Sequence, residues 1–183
     1  MAKMLLEKGA NVNAPGIKHG KALHAAAGNG NIEVVKMLLE KGADVNAQSG
    51  EYGTALQAAA AKKNTEVAKM LLEKGANVNA LGGKYWCALQ AAAVNRDTKI
   101  VKLLLENGAN VNVRGEYYWN ALHAAAVRRS TEVAKMPLGK GADINAQCWE
   151  YVSALHIAIV NGNTELAKIP LQKDANVIVE GKE

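Results

Sequence analysis

The chain has 183 residues, with 22 Lys and Arg against 17 Asp and Glu, for a net charge of +5. That balance permits an acidic partner without demanding nucleic acid, whose binders usually cluster their basic residues on one face. No apolar run is long enough to span a membrane, no signal-peptide leader is present, and the two cysteines, Cys87 and Cys148, form no C-x-x-C pair; the expectation is an intracellular protein, cytoplasmic or nuclear, with free thiols in a reducing compartment.

Taken in order, residues 2–14 repeat residues 68–80 almost letter for letter. The first 20 residues therefore read as the end of a second helix and its following hairpin, a truncated repeat either cut from a longer array or left by a degraded first helix pair. From there a 33-residue period runs to the end of the chain. Ala22-Leu23, Ala55-Leu56, Ala88-Leu89, Ala121-Leu122 and Ala154-Leu155 fall on it, as do Gly9, Gly42, Gly75, Gly108 and Gly141, and Asn13, Asn46, Asn79, Asn112 and Asn145. A fixed period between about 20 and 50 residues signals a stacked repeat array, in which each unit buries its apolar face against its neighbours. The units are 21–53, 54–86, 87–119, 120–152 and a degenerate 153–183.

Each unit predicts two helices. The first follows Lys21, Thr54, Cys87, Asn120 or Ser153, of which Thr54, Asn120 and Ser153 are good N-caps and Lys21 and Cys87 are not. Its alanine run keeps helix propensity high and lets neighbouring helices approach closely. Asn31, Asn64, Asp97, Ser130 and Asn163 are expected to cap the second helix, with Val34, Met37 and Leu38 on its apolar face. Glu33 and Lys36, Glu66 and Lys69, Glu132 and Lys135, and Glu165 and Lys168 are spaced for i,i+3 pairs on a solvated face. The periodic glycines are left-handed C-caps. Pro137 and Pro170 replace Leu38, Leu71 and Leu104 inside the second helix, so repeats four and five are expected to be bent and less stable.

The unit resembles the ankyrin repeat, whose pattern T-P-L-H-x-A-A is followed by a short second helix and L-L-x-x-G-A-D-V-N. The residues Val34-Val35-Lys36-Met37-Leu38-Leu39-Glu40-Lys41-Gly42-Ala43-Asp44-Val45-Asn46 carry the second half most closely. The resemblance covers essentially the whole chain and implies an α-rich solenoid of helix-turn-helix units joined by β-hairpin loops. The A-L-Q-A-A-A variant is also similar to arrays appended to large multidomain fungal proteins, including nucleotide-dependent signalling ATPases. In the family, partner contacts concentrate in a groove lined by the hairpin tips and first helices, and the histidine of T-P-L-H is structural. Those roles fall here on Glu51, Lys84, Tyr117 and Glu150 at the tips, and on His24, His123 and His156, with Gln57 and Gln90 in the same place.

The candidate site follows from the aromatics. The chain has no Phe, five Tyr and three Trp, all of them in the loops between units: Tyr52, Tyr85, Trp86, Tyr117, Tyr118, Trp119, Trp149 and Tyr151. Tyr52, Tyr85, Tyr118 and Tyr151 share one position of the period and are expected to stack as a column, stiffening the fingers. Trp86 and Trp119 share another and, with Tyr117 and Trp149, are the best candidates for the centre of a protein-contact surface, since Tyr and Trp dominate binding hot spots. A basic column, Lys63, Arg96 and Arg129 with Lys62 and Arg128 beside it, replaces the glycine that usually ends the first helix. It reads either as a surface for acidic or phosphorylated ligands or nucleic acid, or as a helix end that simply takes another form with long side chains in solvent. The histidines of separate repeats stand roughly 10 Å apart, given helix packing distances of 8–10 Å, too far to share a zinc ion bound at about 2 Å. No metal site, cofactor or catalytic residue is expected. The reading is a monomeric protein–protein interaction module or scaffold, with nucleic acid disfavoured and a passive structural spacer as the remaining alternative.

Overall fold

The computed structural model of the chain describes residues 2–16, 21–115, 120–147 and 153–172. Among them are eleven helices: α1 Ala2–Glu7, α2 Ala22–Gly28, α3 Ile32–Glu40, α4 Ala55–Ala61, α5 Thr65–Glu73, α6 Ala88–Val94, α7 Thr98–Glu106, α8 Ala121–Val127, α9 Thr131–Gly139, α10 Ala154–Val160 and α11 Thr164–Gln172. Each seven-residue helix packs on the nine-residue helix that follows it, and like helices pack on like: α2, α4, α6, α8 and α10 form one row, α3, α5, α7, α9 and α11 a second. This is a helical solenoid of the 33-residue unit. The β-hairpin expectation is corrected. Among the described residues the loops carry no strands; Gln147 and Ser153 form an isolated bridge, and the fingers close through hydrogen bonds such as Ser49 N–H to Gly53 O at 2.7 Å and Gly82 N–H to Trp86 O at 2.8 Å.

The first-helix row is built from alanine and leucine. Ala58, Ala59, Ala60 and their counterparts Ala91–Ala93 and Ala124–Ala126 are at most 1% exposed, because a methyl side chain lets one helix backbone lie close to the next. Leu23, Leu56, Leu89, Leu122 and Leu155 fill the space between rows. On α3 the core residues are Val35 and Leu38, while Val34 and Met37 are only half-buried.

Capping follows the side-chain chemistry, with two exceptions. Thr54 forms a full capping box with Gln57, Asn120 accepts from His123 N–H at 2.9 Å and Ser153 accepts from His156 N–H at 3.3 Å, while Lys21 and Cys87 make no side-chain cap. On the second helices Asn31, Asp97 and Asn163 cap as expected. Asn64 and Ser130 do not: the Asn64 amide instead donates across the repeat boundary to Ala27 O and Gly28 O at 2.8 and 2.9 Å. Of the four i,i+3 charge pairs only Lys168 and Glu165 close, at 3.2 Å; the others stay solvated, as low-value exposed pairs often do.

Every second helix from α3 to α9 ends in the same double bond. Gly42 sits at φ +81°, its N–H donating to Leu39 O, and Ala43 N–H donates to Leu38 O at 2.9 Å, the Schellman arrangement that only a left-handed residue allows at no cost. The periodic asparagines then tie one C-cap to the next. Asn13 donates to Gly42 O at 3.1 Å and accepts from Asp44 N–H at 3.0 Å. Asn46, Asn79 and Asn112 repeat both bonds one unit further on. Each bond contributes about 1 kcal/mol net, and together they explain why asparagine recurs at this position.

α9 continues through Pro137, whose ring is buried and whose carbonyl still accepts from Ala142 N–H at 2.9 Å. The helix is therefore not interrupted there. α11 likewise runs through Pro170.

His24 is structural. Its Nε2 lies 2.9 Å from Ala47 O and 3.0 Å from Gly53 O, two acceptors, so that nitrogen carries the proton and donates. Gln57 does the same work one repeat on, its Nε2 donating to Gly82 O at 2.9 Å and Trp86 O at 3.0 Å. Nδ1 of His24 is buried and unpartnered among the described residues, because Lys21 supplies no cap hydroxyl that could donate to it. Burial, helped by the Lys21 charge, holds His24 below its usual 6.5, so a second proton would have to enter at that unpartnered atom. The unfolded chain binds this proton more readily than the folded one, so the stability tied to neutral His24 is complete above about pH 6.5 and is lost as pH falls below it. Thermal melts between pH 7.5 and 5 should show this loss shrink in His24→Gln; an unchanged pH profile in the variant would rule the account out.

Candidate functional site

The fingers that precede α4 and α6 are bound to each other. Tyr52 and Tyr85 stack with ring centroids 6.3 Å apart and planes 11° from parallel, the offset arrangement aromatic pairs favour. At the tips, Lys84 N–H donates to Glu51 O at 2.9 Å, and its ammonium meets the Glu51 carboxylate at 3.0 Å. Both rings also lie under cations, Lys62 Nζ at 5.6 Å from the Tyr52 centroid and Lys84 Nζ at 5.9 Å from that of Tyr85. The column expected from the period is therefore present at its first two members, and it is cross-linked by charge as well as by stacking. Tyr118 and Tyr151, the next two, lie outside the described residues, as do Tyr117, Trp119, Trp149 and Cys148.

The approach of the two fingers is tight. Gly83, at φ +66°, has no room for a Cβ, which would fall 2.3 Å from the Tyr52 carbonyl carbon. Beside Tyr52 a cavity of about 160 Å³ opens, lined by His24, Asn29, Glu51, Tyr52 and Lys62 among others.

Trp86 closes the finger. Its carbonyl accepts from Gly82 N–H and from the Gln57 amide, its indole side chain is half-buried, and Gly115 of the following loop is packed against its Cβ. Its backbone stands at φ +65°, where the equivalent residue of the preceding repeat is Gly53 at φ +87°. A bulky residue in the left-handed region costs about 1–2 kcal/mol, so this repeat carries its tryptophan against the local backbone preference.

The basic column follows the same logic at the other end of the first helix. Lys63, Arg96 and Arg129 stand at φ +62°, +55° and +57°, matching Gly30 at +70° and Gly162 at +65° in the flanking repeats. The expectation that the helix might end differently is thus corrected: all five units end alike, and three do so with a strained Lys or Arg. Lys63, Arg96 and Arg128 line a shallow cleft with Val94 and Asn95, and make no ion pairs among the described residues. Arg128 lines this cleft; it holds the place in its unit that Lys62 holds beside Tyr52, and the matching Tyr118 lies outside the described residues. Among the described residues Lys62 is the one cation of the column that reaches an aromatic ring, a contact the sequence spacing did not reveal because it depends on where a long side chain folds back.

Cys87 is buried under the same finger, and burial pushes its thiol up, away from the reactive thiolate. Among the described residues no three His, Cys, Asp or Glu side chains gather as metal ligands, and no helix is long and apolar enough to cross a membrane.

A family model described as ankyrin repeats (3 copies) matches residues 1–81, 23–115 and 56–148 in overlapping registers. No curated protein matches the chain. Proteins of this family are generally protein–protein interaction modules and typically non-enzymatic. The repeat period, the two rows of helices and the matched residues agree, and the chain belongs to the ankyrin-repeat family.

Proposed function

We propose that the chain is a protein-recognition module or scaffold that takes its partner on the aromatic fingers, with Trp86 at the described part of the contact surface and Tyr52 and Tyr85 as its rigid support. The observation that carries this reading is the Trp86 backbone: a tryptophan held at φ +65°, where the neighbouring unit has glycine, and left half-exposed. Rigid aromatics at a preorganised surface supply contact area at little entropic cost. Tyr117, Tyr118, Trp119, Trp149 and Tyr151 extend the same surface in sequence. The role is binding rather than catalysis, by a monomeric segment working in the cytoplasm or nucleus, where buried Cys87 stays reduced.

Trp86→Gly tests the proposal without endangering the fold, because relief of the left-handed backbone offsets the lost packing. The variant should unfold within about 1 kcal/mol of the parent. It should fail to retain, in both low and high salt, the protein that the parent captures from a lysate. Equal capture by both chains would refute the proposal. A second reading rests on the three strained basic residues: an acidic or phosphorylated ligand on Lys63, Arg96 and Arg128. Capture that collapses with salt and disappears in Arg96→Gly but not in Trp86→Gly would favour it.

A further inference from the structure

The second-helix row carries one break in its pattern that backbone and packing leave unexplained. Glu40, Glu73 and Glu106 occupy the last position of α3, α5 and α7; in α9 that position is Gly139. Gly139 is not at positive φ, and a Cβ built on it would meet nothing within 4 Å. Glycine is a poor helix former, and α9 already contains Pro137.

What the missing side chain does is uncover a surface. Between α7 and α9 lies an open depression of about 360 Å³, floored by Leu105 and Met136 beside Gly139, and rimmed by Lys102, Lys135 and Lys140. Lys102 reaches Glu106 at 3.9 Å across one turn of α7. Lys135 has the corresponding place in α9, but its partner position is Gly139, and neither Lys135 nor Lys140 makes an ion pair among the described residues. Glu106 is the one carboxylate in the lining.

We propose that this depression is a second docking site, for an acidic segment of a partner protein that seats one apolar side chain on Leu105 and Met136 and sets flanking carboxylates against Lys135 and Lys140. Charge complementarity selects this occupant. The floor is apolar and of side-chain size, the rim is three ammonium groups to one carboxylate, and two of those ammonium groups make no ion pair among the described residues. The proposal goes beyond the finger surface and does not depend on it, since no residue of the depression belongs to the fingers.

The test uses the whole chain and a synthetic peptide of one leucine flanked on each side by three glutamates, titrated while the Gly139 amide and Met136 methyl NMR signals are followed. Both signals should shift saturably, with a dissociation constant below about 1 mM. Gly139→Glu, which restores the residue of the other repeats and keeps the helix, should weaken binding by about tenfold or more, as should serine in place of the peptide's leucine. Trp86→Gly should leave the titration unchanged, which separates this site from the finger surface. No saturable shift at Gly139, equal affinity in Gly139→Glu, or shifts confined to the Lys63–Arg96–Arg128 cleft would each overturn the proposal.

Discussion

Leucine in place of Pro137 should raise the unfolding free energy by about 3 kcal/mol, the largest gain open to a single substitution in this chain. Pro137 is the seventh residue of α9, well past the first turn, where a missing N–H would be harmless. It cannot donate to the carbonyl one turn back, and its ring crowds that turn. Leu71 and Leu104, at the same position of the period, are fully buried in the core, so the site accepts leucine by shape. The C-terminal half of the helix already ends correctly, with Ala142 N–H on the carbonyl of residue 137, so the substitution adds one hydrogen bond and disturbs no existing one. Urea unfolding of the two proteins measures the difference, and hydrogen exchange should place the added protection in repeat four. A variant no more stable than the parent would mean that the surrounding side chains have closed around the ring.

Alanine in place of Gly83 should act in the opposite direction, lowering stability by about 2–3 kcal/mol. Two effects add. The residue stands at φ +66°, where any side chain strains the backbone, and the new methyl would fall within 2.4 Å of both the carbonyl carbon and oxygen of Tyr52. Because the clash is with main chain, no rotamer change relieves it; one finger must move away from the other. The Tyr52–Tyr85 stack and the Lys84–Glu51 bridge would open together, and an engineered Gly53→Ala, also at positive φ and facing Gly82 backbone at 3.2 Å, should show the same loss. Near-ultraviolet circular dichroism reads the tyrosine stack directly. An unchanged spectrum with unchanged stability would show that the fingers are not in contact in solution.

The fold was legible because its signals are repeated. A left-handed glycine, a cap oxygen or a core leucine is ambiguous once, but five copies at one spacing leave a single architecture. Where the sequence misled, one residue type had two possible partners. Asn64 looks like a helix cap and is instead a bridge to α2, since an amide can donate as well as accept. The charged pairs of the second helices look like salt bridges, yet on an exposed face solvent competes successfully for most of them. The fingers looked like hairpins because the family has them; here Gly82, Gly83 and Trp86, all at positive φ, fold the loop into tight turns instead of strands. The aromatic column was visible as periodicity, but the cations above its rings were not, since Lys62 stands at the far end of α4 from Tyr52 and meets it only through side-chain length. Gly139 stands in plain view as a departure from glutamate, and its consequence needs the neighbouring helix α7 to be placed.

The asparagine that joins each C-cap to the next has a mechanical meaning as well. Its two bonds lie on the outside of the array and cross every junction they serve, while the alanine contacts lie within. Under a pulling force along the long axis, such a chain of units deforms as springs in series: every junction bears the same tension, and the extensions add. The asparagine bonds are directional and short-ranged, so they resist twist and separation at first and then break at once, whereas the methyl contacts yield gradually as the helices slide. An array held by both stays stiff under small loads and lengthens by discrete steps under larger ones.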